Sequence, residues 1–179
     1  DLVKRLHSDK ESWDTPLPNP YLTHNLHNFY EDAIACSIRN LCIDNRNGKN
    51  KVKVIYVPCY LKGNDGIFNM DYYDVLIGND LSVYPSYYEP WGYTPLESAA
   101  FHIPTITTNL AGFGLWVNSV LGREGELADG VKVICRNDSN YSAAAEEITK
   151  TICIFAKLSE KEVIDCRKKV AKLADKALW

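Results

Sequence analysis

The sequence predicts an α/β fold, in which a doubly wound parallel sheet carries helices on both faces. Short apolar strand segments alternate with segments of helical periodicity, the pattern typical of this class. The chain of 179 residues is also long enough to bury a core without disulfide or metal support. With 46% hydrophobic and 24% charged residues and a net charge of −3, its composition predicts a single globular domain over residues 1–179.

Local patterns predict each element from the N-terminus onwards. Residues 1–28 are polar and interrupted by prolines, which favours a loop. Apolar residues spaced three and four apart over 29–43 predict a helix, which ends at the Asn-Arg-Asn-Gly segment 45–48. The further predicted elements are strands over 52–57, 81–84, 105–107 and 131–134, and helices over 71–78, 95–102, 142–157 and 159–178.

The last helix and the ligand-binding edge of the sheet follow from general rules. Ser159 with Glu162 three residues later is the pattern of a capping box, so the helix is expected to begin there. Ligands of parallel sheets bind at the carboxyl ends of the strands. The loops after Tyr56, Tyr84 and Thr107 are therefore the expected place for a functional site.

Hydropathy and charge exclude several classes of partner. The chain has no apolar run near the roughly 20 residues that span a bilayer, and its first residues lack the apolar stretch of a signal peptide. Membrane and secretory classes are therefore not expected. Lys and Arg number 20 against 23 Asp and Glu, and no basic block is longer than residues 167–169, which argues against nucleic acid.

The cysteines and histidines predict no metal centre. The six cysteines are scattered and form no CxxC pair, and we interpret them as reduced, buried thiols of a cytoplasmic protein. His24 and His27 are the only closely spaced histidines, and no cysteine or acidic pair lies near them at metal-ligand spacing. We therefore expect neither a metal nor another cofactor.

The most informative segment is the loop over residues 85–97. It holds more aromatic rings and prolines than a connector needs, which predicts a pocket for a ring-shaped or sugar ligand. A helix beginning at Thr94 would point its free amides into this pocket, and such a helix end suits a phosphate or diphosphate. Glu89 lies in the turn, where neither helix periodicity nor capping requires a carboxylate, so it is a candidate functional residue.

Glu97 has two interpretations. Thr94, Pro95 and Glu97 have the spacing of a helix cap, a proline at the first helical position and a glutamate that completes a capping box. A carboxylate at this position would equally suit a contact with a ligand in the loop. The pattern alone leaves both interpretations open.

Two runs in the sequence resemble a known family. Segment 85–95, PSYYEPWGYTP, is followed by Glu97, and segment 103–110, IPTITTNL, is followed by Gly112-Phe113-Gly114. Together they resemble the carboxyl-terminal domain of glycogen synthases of the animal and fungal type, which some bacteria also carry. The resemblance implies a Rossmann-like domain, the C-terminal half of a two-domain glycosyltransferase-B architecture. Such enzymes transfer glucose from UDP-glucose to an α-1,4-glucan with retention of configuration.

The resemblance also implies roles for residues at the matching positions. Glu89 would face the donor glucose near its reacting carbon and is the candidate catalytic residue. Glu97 would hold the ribose, and Tyr72 would stack on the uracil. The diphosphate would be bound by the backbone of Gly92, Tyr93 and Thr94.

The same resemblance implies which partners the protein binds and which parts of the family's architecture we expect to be missing from the chain. The implied partners are UDP-glucose and glycogen or another α-1,4-glucan, and the full-length protein is expected to form a homo-oligomer. The first strand and the amino-terminal domain of the family are missing from the chain, so we expect a fragment without transferase activity of its own. Residues 167–172 are mostly lysine where the family has an arginine-rich patch, so phosphate-dependent regulation is not expected.

Two other functions stay open at this point. A sugar-nucleotide epimerase built on the same fold would need a histidine and several acidic residues around the donor, rather than an aromatic loop. A catalytically silent module that binds a nucleotide sugar or a glucan would keep the loop without the reaction. Titration with UDP and with maltooligosaccharides would separate these functions.

Overall fold

The computed structural model describes residues 19–65 and 68–177, which divide into two compact units. The first unit ends at Val75 and the second begins at Leu76. Compactness alone does not decide whether the units fold independently, so the single domain over residues 1–179 stays a prediction. Most of the loop predicted over 1–28 lies outside the described residues.

The first unit is built around one short helix, α1, over Ala33–Asn40. Asp32 caps it, since its carboxylate accepts a hydrogen bond from the Ala35 amide at 2.8 Å. Ala35 and Ile38 point inwards and pack with the fully buried Tyr21. The helix predicted over 29–43 is therefore confirmed, with shorter bounds. A second short helix, α2, covers Tyr72–Leu76 within the predicted 71–78 and crosses the boundary between the units.

The strand predicted over 52–57 is wrong. Residue Tyr56 forms only an isolated parallel bridge with Leu22. The side chain of Asn45 occupies both polar backbone groups of Val54: its oxygen accepts from the Val54 amide at 2.9 Å, and its nitrogen donates to the Val54 carbonyl at 2.6 Å. A side chain thus takes the place that a neighbouring strand would hold, so no ladder extends along the segment.

The second unit contains a parallel three-stranded sheet in the order β1-β2-β3. Its strands are β1 over Ser82–Val83, β2 over Thr105–Thr108 and β3 over Val131–Ile134. Its helices after α2 are α3 over Tyr93–Ala100, α4 over Gly112–Leu121, α5 over Tyr141–Phe155 and α6 over Glu160–Ala177, with a 3-10 turn over Leu127–Asp129 before β3.

Helices cover both faces of this sheet. On one face, Val131 and Val133 pack against residues of α3, α4 and α6. On the other face, Ile106 and Ile134 pack against Ala144 of α5. The predicted α/β class with a doubly wound, Rossmann-like parallel sheet is therefore confirmed.

The predicted C-terminal helices are present, and the capping box is confirmed. The Ser159 amide donates to a Glu162 carboxylate oxygen at 2.8 Å, and the Glu162 amide donates to the Ser159 hydroxyl at 3.4 Å. No helix in the described part of the chain combines the length and the apolar character needed to cross a bilayer.

All six cysteines are free, but most are not buried. Cys166 alone lies in the core, while four thiols are exposed, namely Cys42, Cys59, Cys135 and Cys153. The expectation of buried thiols is therefore wrong for these four, because the apolar residues around them in the sequence do not pack over them. Burial raises the pKa of the Cys166 thiol.

The helix α4 is absent from the sequence-based prediction, and its glycines explain why. Gly112 and Gly114 are poor helix formers, so they mask the helical pattern at its start. In the structure they are required by close contacts. A Cβ atom on Gly114 would lie 2.1 Å from the Thr108 carbonyl oxygen, and one on Gly112 would lie 2.3 Å from the Pro90 carbonyl oxygen.

We predict that Gly114→Ala destabilises the protein by about 1–3 kcal/mol or more, because the new methyl group overlaps backbone atoms of β2 that cannot move aside. Gly48→Ala is the matched control, since a Cβ atom there meets nothing within 4 Å. Urea unfolding of both variants measures the difference. Equal stability of the two variants would contradict the close contact between α4 and β2.

Candidate functional site

The carboxyl ends of all three strands meet at one edge of the second unit, because the strands are parallel. Three segments leave this edge. The strand-end loop, residues 85–92, follows β1, residues 109–111 connect β2 to α4, and residues 135–140 connect β3 to α5. The loop after Tyr56 belongs to the first unit and follows none of these strands, so that part of the expectation is wrong.

Glu89 is held at both its backbone and its side chain. Its amide donates to the Leu110 carbonyl at 3.1 Å, and its carbonyl accepts from the Gly112 amide at 3.1 Å. Its half-buried carboxylate accepts a hydrogen bond from the Ser86 hydroxyl at 3.0 Å. Contacts within the protein therefore hold both the backbone and the carboxylate of Glu89, although the residue lies in a loop.

Gly92 lies directly beside this carboxylate. Its φ angle of 97° is in the left-handed region, which favours glycine. A Cβ atom here would lie 3.4 Å from a Glu89 carboxylate oxygen and 3.1 Å from a side-chain atom of Pro95. The buried glycine thus packs closely against Glu89 and Pro95, and it sets the direction in which α3 begins.

The start of α3 corrects the capping interpretation of Thr94 and Glu97. The cap is Gly92, without a side-chain hydrogen bond, and the helix begins at Tyr93. Pro95 is therefore the third helical residue rather than the first. Gly92 occupies the cap because the left-handed turn there already reverses the chain, two residues before Thr94. Glu97 falls in the second turn, half-buried and beyond the reach of a capping box.

The first turn of α3 offers backbone amides to a ligand. The first amides of a helix have no intrahelical acceptor, and here they belong to the exposed residues Tyr93 and Thr94. Pro95 has no amide hydrogen, and the Leu96 amide already donates to the Gly92 carbonyl at 3.4 Å. The helix end thus provides two neighbouring donors and the positive end of its dipole, which suits an anionic group.

The aromatic residues of the strand-end loop divide into two groups. Trp91 packs against Phe113 and Trp116, with ring centroids 6.4 Å apart in both pairs, and it joins the core. Tyr87 and Tyr88 of the loop are 53% and 78% exposed, and Tyr93, the first residue of α3, is 69% exposed. Trp91 is therefore a packing residue, and the rings available to a ligand are the tyrosines.

Arg136, at the carboxyl end of β3, was not singled out from the sequence. Its guanidinium donates to the Pro85 carbonyl and lies 5.1 Å from the ring centroid of Tyr87. The Tyr87 hydroxyl in turn donates to the Asp138 carboxylate. This hydrogen bond, together with the negative charge of Asp138, raises the pKa of the Tyr87 phenol. Arg136 could have been identified from its position in the sequence, because it is the second residue after a predicted strand and so lies at the edge where ligands bind.

The structure brings most of the predicted site residues together in the second unit. Glu89 contacts the turn at Gly92, and Tyr93, Thr94 and Glu97 continue that turn into α3. Tyr72 belongs to the first unit, where it begins α2, half-buried, with its ring 5.3 Å from that of Tyr73. Residues 19–65 and 68–177 contain no group of three or more His, Cys, Asp or Glu side chains that could hold a metal ion.

Comparison with known proteins identifies relatives across nearly the whole chain. The family model described as "Glycogen synthase" matches residues 3–179. Over 160 residues, the chain is 32% identical to "Glycogen [starch] synthase" of Neurospora crassa and 35% identical to "Glycogen [starch] synthase, liver" of Homo sapiens. Isoform 1 of Saccharomyces cerevisiae is 32% identical over the same length. Each alignment covers 89% of this chain and 22% of the relative, so the chain spans about a fifth of the length of these curated relatives.

We predict that Asp138→Asn lowers the pKa of Tyr87 towards the ordinary tyrosine value of about 10, because the charged acceptor of the phenol is lost. Tyrosinate absorbance measured against pH reports the change, and the Tyr87→Phe variant identifies which part of the titration belongs to this residue. Asp80→Asn is the control, because Asp80 pairs with Arg167 instead. Superimposable curves for Asp138→Asn and the parent protein would contradict the hydrogen bond.

Proposed function

Because this chain belongs to the glycogen synthase family, we propose that it is the donor-binding part of a retaining glycosyltransferase. The proposed reaction transfers glucose from UDP-glucose to an α-1,4-glucan such as glycogen. One observation carries the assignment: the fixed Glu89 carboxylate lies against Gly92, directly before the two donor amides of α3. An acidic group for the sugar and an anion-binding helix end are thus neighbours.

The diphosphate belongs at the start of α3 in this proposal. As the bond between glucose and UDP breaks, the leaving diphosphate gains negative charge. The amides of Tyr93 and Thr94 are already oriented by the helix, so they stabilise that charge without first reorganising. Gly92 contributes by carrying no Cβ atom, which allows the phosphates to approach the backbone closely. No metal or other cofactor is part of the proposal.

Glu89 is the proposed catalytic residue. A carboxylate beside the reacting carbon orients the sugar hydroxyls and stabilises the positive charge that develops on an oxocarbenium-like carbon. The Ser86 hydroxyl donates to this carboxylate and holds it on the side of Gly92. Glu97, which lies one helical turn after Tyr93, would hold the ribose. Tyr72 of the first unit would stack on the uracil.

The family match favours the glycosyltransferase over the alternative of a sugar-nucleotide epimerase. Within the described part of the second unit, His102 is the only histidine, and it follows the C-terminal end of α3, whereas Gly92 and Glu89 lie at the start of that helix. A cytoplasmic location and a homo-oligomeric full-length protein belong to the same proposal.

We predict that Tyr72→Ala weakens UDP binding on the order of 10-fold or more, because stacking of a base on an aromatic ring is lost. Calorimetric titration with UDP, carried out on the intact protein that carries this sequence, measures the effect. Tyr60→Ala is the matched control, since Tyr60 is also a tyrosine of the first unit and is 89% exposed. If both variants bind UDP equally well, Tyr72 is not part of the donor site. If the parent protein does not bind UDP, the proposed donor site itself is wrong.

Glu89→Gln tests the catalytic assignment. We expect the rate of glucose transfer from UDP-glucose to glycogen to fall on the order of 100-fold or more, because the charge beside the reacting carbon is lost. UDP affinity should change little, since the α3 amides are untouched. Incorporation of labelled glucose into glycogen is the measurement. A parent protein that binds UDP without transferring glucose would support the silent binding module instead.

A further inference from the structure

The strand-end loop is anchored in two halves by different means. Backbone contacts with the start of α4 hold its second half: the Gly112 amide donates to the Glu89 carbonyl, and the Phe113 amide donates to the Trp91 carbonyl. Side chains hold most of its first half, residues 85–87, together with one backbone hydrogen bond from the Ser86 amide to the Tyr84 carbonyl at 2.8 Å. The two halves therefore depend on different residues, and substitutions can separate them.

Arg136 is the main anchor of the first half. Its guanidinium donates to the Pro85 carbonyl and stacks near two aromatic rings, 5.1 Å from the centroid of Tyr87 and 5.9 Å from that of Tyr141. Its own backbone is fixed, because its amide donates to the side-chain oxygen of Asn109 at 2.7 Å. Arg136 thus joins the carboxyl end of β3 to the loop that follows β1.

A short chain of contacts leads from this anchor to Glu89. Ser86 follows Pro85, and the Thr108 hydroxyl donates to the Ser86 carbonyl at 2.7 Å. The Ser86 hydroxyl then donates to the Glu89 carboxylate at 3.0 Å. Three contacts set the position of Ser86, and with it the direction of the carboxylate: the Thr108 hydroxyl, the hydrogen bond from the Ser86 amide to the Tyr84 carbonyl at 2.8 Å, and the contact of Arg136 with the preceding Pro85.

We propose that Arg136 is a positioning residue that orients the Glu89 carboxylate through Pro85 and Ser86; this inference rests on the proposed function. Arginine is required because one planar group must donate to a carbonyl and stack between two rings at once. A lysine keeps the positive charge but provides neither the fork of donors nor the planar surface. The start of α3 lies beyond the second half of the loop, so UDP binding does not depend on Arg136.

The experiment compares Arg136→Lys, Ser86→Ala and the double variant in the intact protein that carries this sequence. We expect each single variant to lower kcat for glucose transfer on the order of 10- to 100-fold, because a small displacement of a catalytic group is costly. The KM for UDP-glucose and the inhibition constant of UDP should change little. The double variant should be no slower than the slower single variant, because both act on the same carboxylate.

Arg123→Lys is the matched control, since Arg123 pairs with Asp129 away from the strand-end loop and should retain the parental kcat. Three results would overturn the proposal: a parental kcat for Arg136→Lys, multiplicative losses in the double variant, or a loss of UDP binding equal to the loss of kcat. A parent protein that binds UDP but transfers no glucose would overturn the proposed function, and the positioning role with it. If the parent protein transfers glucose and the Arg136→Lys variant has the parental kcat, only the positioning role is overturned.

Discussion

The second unit depends on how closely the first turn of α4 approaches the strand-end loop and the end of β2. This approach is possible because Gly112 and Gly114 carry no Cβ atoms where the Pro90 and Thr108 carbonyls come nearest. The amides of Gly112 and Phe113 are then consumed by the carbonyls of Glu89 and Trp91. Two helices begin at this edge, and their first amides differ: those of α4 bond the strand-end loop, whereas those of Tyr93 and Thr94 in α3 have no intrahelical acceptor.

This division explains how a loop can hold a functional carboxylate steadily. The backbone of Glu89 is paired on both sides, to Leu110 and to Gly112, almost as if it were part of the sheet. Trp91 adds a packed side chain on the core side. Side-chain contacts of Ser86 and Arg136 then determine the finer orientation. Fixed groups of this kind stabilise developing charge without a cost of reorganisation during the reaction.

The sequence predicted those features that depend on local patterns. Strand β3 has the predicted bounds because its β-branched apolar residues are flanked by turn residues, and the aromatic loop with Glu89 and Gly92 follows a strand as predicted. The failures required knowledge of distant contacts. Segment 52–57 does not form a strand because the side chain of Asn45 bonds its backbone at Val54. The prediction missed α4 because two glycines, which close tertiary contacts require, weaken the helical pattern at its start. Arg136 meets Pro85 across 51 residues of sequence, a pairing that no local pattern contains.

Asn45 also affects whether segment 52–57 can pair with strands of other chains. Segment 52–57, VKVIYV, has the β-branched composition of segments that assemble edge to edge into intermolecular sheets. An extended segment recruits another strand through its unpaired amides and carbonyls. By occupying both polar groups of Val54, Asn45 interrupts that row near its middle. A single amide side chain therefore removes the backbone groups of Val54 from those that could pair with another chain.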